Sequence, residues 1–208
     1  MKKTASLLLI LALVLSSVLF SCGEKNREYD EAEVLAAARE LLPKAQIMNT
    51  VYYGKGISYI AGGGSYCEAD PIHLSALGFD TVAGLMEKTE EVFTREYSES
   101  LFRDKISSLQ VDGYVIELGR YYQSYYDAEM TEPQCIMVNK NMTVVFEDRM
   151  TYDYSTLRVL GSCGKTVILE IDVKVTDKDS NEKTKTLRIN LVEQENGWRI
   201  DNPVFANY

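Results

Sequence analysis

The stretch Thr166–Thr176, TVILEIDVKVT, decides the fold. Val167, Leu169, Ile171, Val173 and Val175 alternate with Thr166, Ile168, Glu170, Asp172 and Lys174. A period of two places the first set on one face of a strand and the second on the other. One apolar face and one largely polar face is the pattern of an antiparallel sheet covered on one side. On the C-terminal side, Leu187, Ile189 and Leu191 alternate with Thr186, Arg188 and Asn190. Asn196-Gly197 is then a two-residue hairpin signal that returns the chain as Trp198–Ile200. On the N-terminal side, Leu157 and Val159 lie in a further strand. The alternation of Met142, Val144 and Phe146 predicts another, and Val111-Asp112-Gly113-Tyr114 reads as a turn into a strand over 115–122.

The first half of the chain has a helical period instead. Asp30 with Glu33 has the spacing of a capping box. Val34, Ala38, Leu41 and Leu42 follow as one apolar stripe. Pro43 predicts a break or kink. Ala45, Met48, Val51 and Tyr52 resume the helical spacing, which gives either a second helix or a continuous one as far as Tyr53, and Gly54 and Gly56 end it. Ile57–Ala61 reads as a short strand and Gly62–Gly64 as a turn. Asp80 caps a helix with Val82, Leu85, Met86, Thr89 and Phe93 on one face, and Thr94 caps the next, giving helices over 81–93 and 95–107. Helices first and long strands last predict an α+β fold: N-terminal helices on one face of a curved antiparallel sheet formed mainly by the C-terminal half.

The amino terminus carries a different kind of signal. Met1-Lys2-Lys3 is basic, and residues 5–15 are an apolar run too short to span about 30 Å of hydrocarbon comfortably. Extending the run to Phe20 approaches spanning length, so an uncut membrane anchor is the alternative. The ending Leu19-Phe20-Ser21-Cys22 resembles the lipobox of bacterial lipoproteins. That resemblance implies cleavage before Cys22 and a lipid on its sulfur, with two or three acyl chains for stable anchoring. It divides the chain into a signal peptide (1–21), a lipidated tether (22–29) and one α+β domain (30–208). The expected location is the cell membrane or outer membrane of a bacterium, with the domain outside the cytoplasm.

Three further cysteines, Cys67, Cys135 and Cys163, remain for the domain. The residues leave two readings, one disulfide among them or three inert thiols. Their spacing contains no CxxC pair, which argues against metal or thioredoxin-like chemistry. The formal charge is -9, and removal of residues 1–21 takes away Lys2 and Lys3 and no acid, leaving -11. A chain so acidic has no basic stripe with which to neutralise phosphates, so no nucleic-acid partner is expected.

Two family resemblances come from longer stretches. LRINLVEQENGWRIDNPVF (187–205) is similar to the end of many nuclear transport factor 2-like domains. There, a long strand and a closing Gly-Trp-x-Ile-Asp strand complete a curved sheet around a helix. In enzymes of that class an Asp or Tyr in the concave pocket transfers a proton, which makes a small-molecule enzyme or ligand-binding protein the alternative function. FDTVAGLMEKTEEVFTREYSESLF (79–102) followed by VDGYVIELGRYY (111–122) resembles exported Firmicutes proteins of the D,L-endopeptidase inhibitor type. Neither resemblance carries a functional residue over; the lipid anchor, the acidity, the tyrosine-rich middle and the lack of a catalytic set lead to the expected function, a surface-anchored non-catalytic protein with an envelope protein or wall component as partner.

The candidate chemistry is sparse. His73, the one histidine, follows Pro71 and reads as a surface loop residue; alone it excludes multi-histidine metal sites. Asp177, Asp179 and Asn181 spell D-x-D-x-N, but Glu182 and Arg188 stand where a calcium loop needs Gly and Glu. Gly54-Lys55-Gly56 lacks the hydroxyl residue of a phosphate loop. Glu170 and Asp172 share a strand face with Lys174, which reads as a solvated, salt-bridged surface. RYYQSYYDAEM (120–130) is the most distinctive composition. Tyr121, Tyr122, Tyr125 and Tyr126 are the candidate binding face, since tyrosine gives large contact area at low entropic cost. No catalytic residue, metal or cofactor is assigned, and Cys22 is the assigned lipidation site.

Overall fold

A computed structural model describes residues 29–60, 64–106, 110–111, 114–115, 119–126, 129–145 and 149–206. Residues 1–28, where the signal peptide, Cys22 and most of the tether are expected, lie outside these residues, as do Gly62, Gly63 and Phe146.

The C-terminal half forms the sheet that the alternation predicts. Strands β6 (Arg149–Cys163), β7 (Thr166–Thr176), β8 (Glu182–Gln194) and β9 (Gly197–Ile200) pair in the order β6-β7-β8-β9, all antiparallel. Val167, Leu169, Ile171, Val173 and Val175 of β7 are all buried. β7 and β8 keep register from Thr166↔Val192 to Thr176↔Glu182 without a break. β6 does not: its register to β7 shifts between Asp153 and Arg158 and again between Val159 and Gly161. Extra residues on one strand bend it and increase its twist. The β8–β9 hairpin falls one residue from the expected place. Gln194 pairs with Gly197, so Glu195 and Asn196 form the turn and Gly197 takes φ +103°.

Helix α1 (Glu31–Tyr52) packs its apolar stripe against β6 and β9. Asp30 caps it by accepting from the Ala32 N–H at 2.9 Å. The expected capping box is not completed, because the Glu33 carboxylate accepts from Trp198 Nε1 at 3.1 Å. Pro43 neither breaks nor ends the helix. Pro43 is exposed, so the carbonyl that loses its donor lies on the wet side. Burial of Leu41, Leu42, Ala45 and Met48 on the dry side offsets the cost of about 3 kcal/mol.

The middle of the chain departs further from expectation. β1 (Tyr66–Glu68) is followed by helix α2 (Pro71–Leu77), capped by Asp70 and ended by Gly78 at φ +80°. His73 is therefore on a helix, half-buried, with Nδ1 accepting from the Ser58 N–H at 2.8 Å. Helix α3 (Val82–Glu90) is capped by Thr81 rather than Asp80. Helix α4 (Arg95–Lys105) is capped by Thr94, whose hydroxyl also donates to Asp201. β2 (Gln110–Val111) and β3 (Tyr114–Val115) form a small ladder about the expected turn. β4 (Tyr121–Tyr125) and β5 (Pro133–Asn139) complete a second antiparallel sheet of order β1-β5-β4. The strand expected at Met142 and Val144 is absent there; the strand lies earlier, at β5. Asn139 ends it, accepting on its side chain from the Asn141 N–H at 3.0 Å and so turning the backbone. The Ile57–Ala61 strand is reduced to an isolated bridge, Tyr59↔Ala69.

Candidate functional site

Register divides the tyrosine-rich stretch into two faces. Tyr121 pairs with Val138, Tyr122 with Met137 and Gln123 with Ile136. On the inner face, Tyr121, Val138, Ile136 and Cys67 are buried. On the outer face, Tyr122 lies in a row with Met137 and Glu68.

Tyr121 is therefore removed from the candidate binding face. It is 0 % exposed. Its hydroxyl donates to the Val51 carbonyl at 2.7 Å and accepts from the Ile57 N–H at 3.1 Å. Burial pushes its pKa up to about 12, against the lowering influence of Arg120. Arg120 is buried beside it. Its guanidinium donates to the Tyr52 carbonyl at 2.9 Å and the Gly54 carbonyl at 2.5 Å. A cation at the C-terminal end of a helix offsets the partial negative charge of its last carbonyls. Arg120 and Tyr121 together clamp the end of α1 and the loop after it. This also explains Gly54-Lys55-Gly56. Gly56 has φ +77°, and a Cβ there would lie 2.6 Å from Arg120 Nη2 and 2.8 Å from the Tyr121 hydroxyl. The glycine pair wraps a protein guanidinium.

The outer face is a half-exposed surface of the three-stranded sheet. Tyr122 meets Tyr66 edge-to-face with ring centroids 4.8 Å apart. The Tyr66 hydroxyl donates to the Gly119 carbonyl at 2.8 Å, which fixes that ring. Burial, with Cys135 and Tyr66 nearby, raises the Tyr122 pKa. Beside them the Ser124 hydroxyl and the Cys135 thiol are 3.0 Å apart, and Cys135 Sγ lies 3.6 Å from Met137 Sδ. Tyr125 is half-buried, and Tyr126 is 67 % exposed. Two edge-packed phenols, a thioether, a thiol and a hydroxyl suit contact with an extended or flat partner. Tyr66, Ser124, Cys135 and Met137 were not legible as neighbours of Tyr122. The alternation of Cys135 and Met137 with Ile136 and Val138 carried the signal, masked by Pro133 and by the short length of β1.

Cys67 and Cys135 lie on opposite faces of the small sheet and are not joined in a disulfide. A cleft of about 530 Å³ adjoins the outer face, between α2 and β5, lined by Glu68, Leu74, Phe79, Asp80, Gln134 and Cys135. A wider groove of about 1130 Å³ lies at the β8–β9 turn, where carboxylates such as Glu90, Glu193 and Asp201 outnumber Arg95, Lys165 and Arg199. Among the described residues no group of three His, Cys, Asp or Glu side chains is placed to hold a metal ion. Glu170 accepts from Arg158 Nε at 3.0 Å and Asp172 from the Thr186 hydroxyl at 2.6 Å, so both face solvent-side partners. Asp177 accepts from the N–H groups of Asp179 and Asn181 in its own loop. Among the described residues no helix is long and apolar enough to cross a membrane.

The fold and site thus define an α+β protein with an apolar interior and one aromatic outer sheet face. No family model matches the chain, and no curated protein matches it. Among solved structures it is similar to the iota-carbonic anhydrase of a cyanobacterium, crystallised with bicarbonate. The identity is 16 %, the match covers 87 % of this chain and 93 % of that one, and the TM-score is 0.34. Nothing about that enzyme's site carries over at this level of likeness.

Proposed function

We propose that this protein is a bacterial lipoprotein, anchored through Cys22, whose domain is a non-catalytic binding module for an envelope protein or cell-wall component. The observation that carries the reading is the division of β4. Tyr121 is spent on the core, whereas Tyr122 stands on the outer face with Tyr66, Met137 and Ser124 around it. Large aromatic side chains held rigidly on a strand and left half-exposed are the residue type that dominates binding energy at interfaces. The space between α1 and the large sheet supports the same reading. It holds Leu41, Leu42, Leu169, Ile171, Ile189 and Leu191, all buried and apolar.

The test is quantitative sedimentation of the soluble domain with purified cell walls and with solubilised envelope proteins. Tyr122→Ala, Tyr126→Ala and the double variant are compared with the native chain. Retention that falls in the double variant, with unchanged melting temperature, supports the reading. Equal retention of native and double-variant protein refutes the aromatic face as the binding surface.

A further inference from the structure

Two sulfur atoms stand together on the outer face of the small sheet. Cys135 and Met137 are two positions apart on β5, so their side chains leave the strand on the same side. Cys135 Sγ is 3.6 Å from Met137 Sδ, and both residues are half-buried. An irregularity in β4 holds the pair in place. The register to β5 shifts between Gln123 and Tyr125. There the Ser124 hydroxyl accepts from the Cys135 N–H at 3.2 Å, donates to the Cys135 carbonyl at 3.0 Å and lies 3.0 Å from the thiol. Irregularities of this kind re-aim a side chain. Tyr122 stands opposite Met137, with its ring fixed against Tyr66. Cys135 also lines the cleft between α2 and β5, which gives a path of entry from solvent.

A thiolate and a thioether are soft donors, and together they select Cu(I) over zinc, magnesium or calcium. The geometry agrees. At a metal–sulfur distance of about 2.3 Å, two sulfurs 3.6 Å apart subtend about 100° at the ion. A closed-shell ion with three or four ligands accepts that angle, so β5 need not move. The charge agrees as well. A monovalent ion on one thiolate and one thioether is neutral, so a half-buried site has no net charge to desolvate. A divalent ion would leave an uncompensated positive charge. Among the described residues no three His, Cys, Asp or Glu side chains converge to hold one.

We propose that Cys135 and Met137 form a binding site for Cu(I). The thiol gives its proton to water as the copper–thiolate bond forms, and Met137 Sδ contributes a lone pair. Copper stays monovalent, so nothing is oxidised or reduced. Two protein donors leave a coordination position open to a further ligand. The site shares the face proposed above for partner binding, but it stands whether or not Cys22 carries lipid.

The test is an anaerobic titration of the full-length protein in detergent against Cu(I) held by the chromogenic chelator bicinchoninate, with X-ray absorption at the copper edge. The native chain is expected to withdraw copper from the chelator and to show sulfur ligands at about 2.3 Å. Met137→Leu keeps the side-chain volume and is expected to weaken binding at least about ten-fold, since losing a ligand costs no less than losing a group that supports one. Cys135→Ala is expected to remove the site. Met130→Leu alters an exposed thioether outside the pair and is expected to bind as the native chain does. Copper left with the chelator, a spectrum without sulfur, or equal affinity of Met137→Leu and the native chain overturns the site. Zinc bound as tightly as copper overturns its selectivity. The spectrum needs only the native chain, so it decides the matter when a variant fails to fold. Loss of the copper site leaves retention on cell walls untouched, so the two readings fail separately.

Discussion

Tyr121→Phe is the substitution whose effect follows most directly from the geometry. It keeps the ring and removes one oxygen. That oxygen donates to the Val51 carbonyl at 2.7 Å and accepts from the Ile57 N–H at 3.1 Å. Each bond is worth about 1 kcal/mol net, and stranding a buried N–H adds about 1–2 kcal/mol. Ile57 is 1 % exposed, so water cannot easily replace the lost partner. The expected loss is about 3–4 kcal/mol, a large share of the roughly 5–15 kcal/mol that holds a domain folded. For a domain of this size the melting temperature falls by about 10 °C. Urea unfolding followed by Trp198 fluorescence and far-ultraviolet circular dichroism measures it, with the slope expected to stay unchanged because the exposed area does not. Tyr126→Phe is the control, since that side chain is exposed; its cost stays within about 0.5 kcal/mol. A Tyr121→Phe loss no greater than the control's would refute the clamp, and with it the reason for removing Tyr121 from the binding face.

Three further expectations concern the same core. Gly56→Ala and Gly78→Ala both place a side chain at positive φ, costing about 1–2 kcal/mol each. Gly56→Ala costs at least about 1 kcal/mol more, because its Cβ meets Arg120 and Tyr121 whereas nothing lies within 4 Å at Gly78; thermal melts of the pair decide this. Burial raises the phenol pKa of Tyr52, Tyr97, Tyr121 and Tyr152, Tyr121 to about 12. The unfolded chain releases those protons near pH 10, so the native state binds more protons above that pH. Stability is full below about pH 10 and falls as pH rises toward the folded values. The urea midpoint therefore drops between about pH 9 and about pH 11, and a flat midpoint would count against buried, neutral phenols. Under native conditions a maleimide should modify Cys135, which is half-buried, well before Cys67, which is 2 % exposed; peptide mapping that finds the reverse order contradicts the assigned sheet faces.

The large sheet was readable because its signal is long and regular. Eleven residues of β7 alternate without interruption, and one slip would have turned Leu169 and Ile171 to water. Long α1 was readable from its stripe, which resumes after Pro43; the choice between one helix and two depends on which side of the helix meets solvent. The small sheet was not readable, for a physical reason. β1 has three residues and β4 has five, too short for a period to register. Their partners are also distant in sequence, with Tyr66 pairing to Asn139. The tyrosine stretch was visible as composition. Its division into a core residue and surface residues came only from the register to β5. Arg120 shows the same limit. A charged residue in an aromatic run gives no sign that it is buried, because the carbonyls it binds come from a helix end about seventy positions earlier.

The account rests on Cys22 holding the protein at a membrane, and metabolic labelling with an alkyne fatty acid tests that most directly. The native chain and Cys22→Ala are expressed in a bacterial host, and the probe is read out on the purified protein. The account predicts a labelled native protein that has lost residues 1–21 and an unlabelled Cys22→Ala variant. Equal labelling of the two, or a native protein that retains its first 21 residues and no probe, would contradict it.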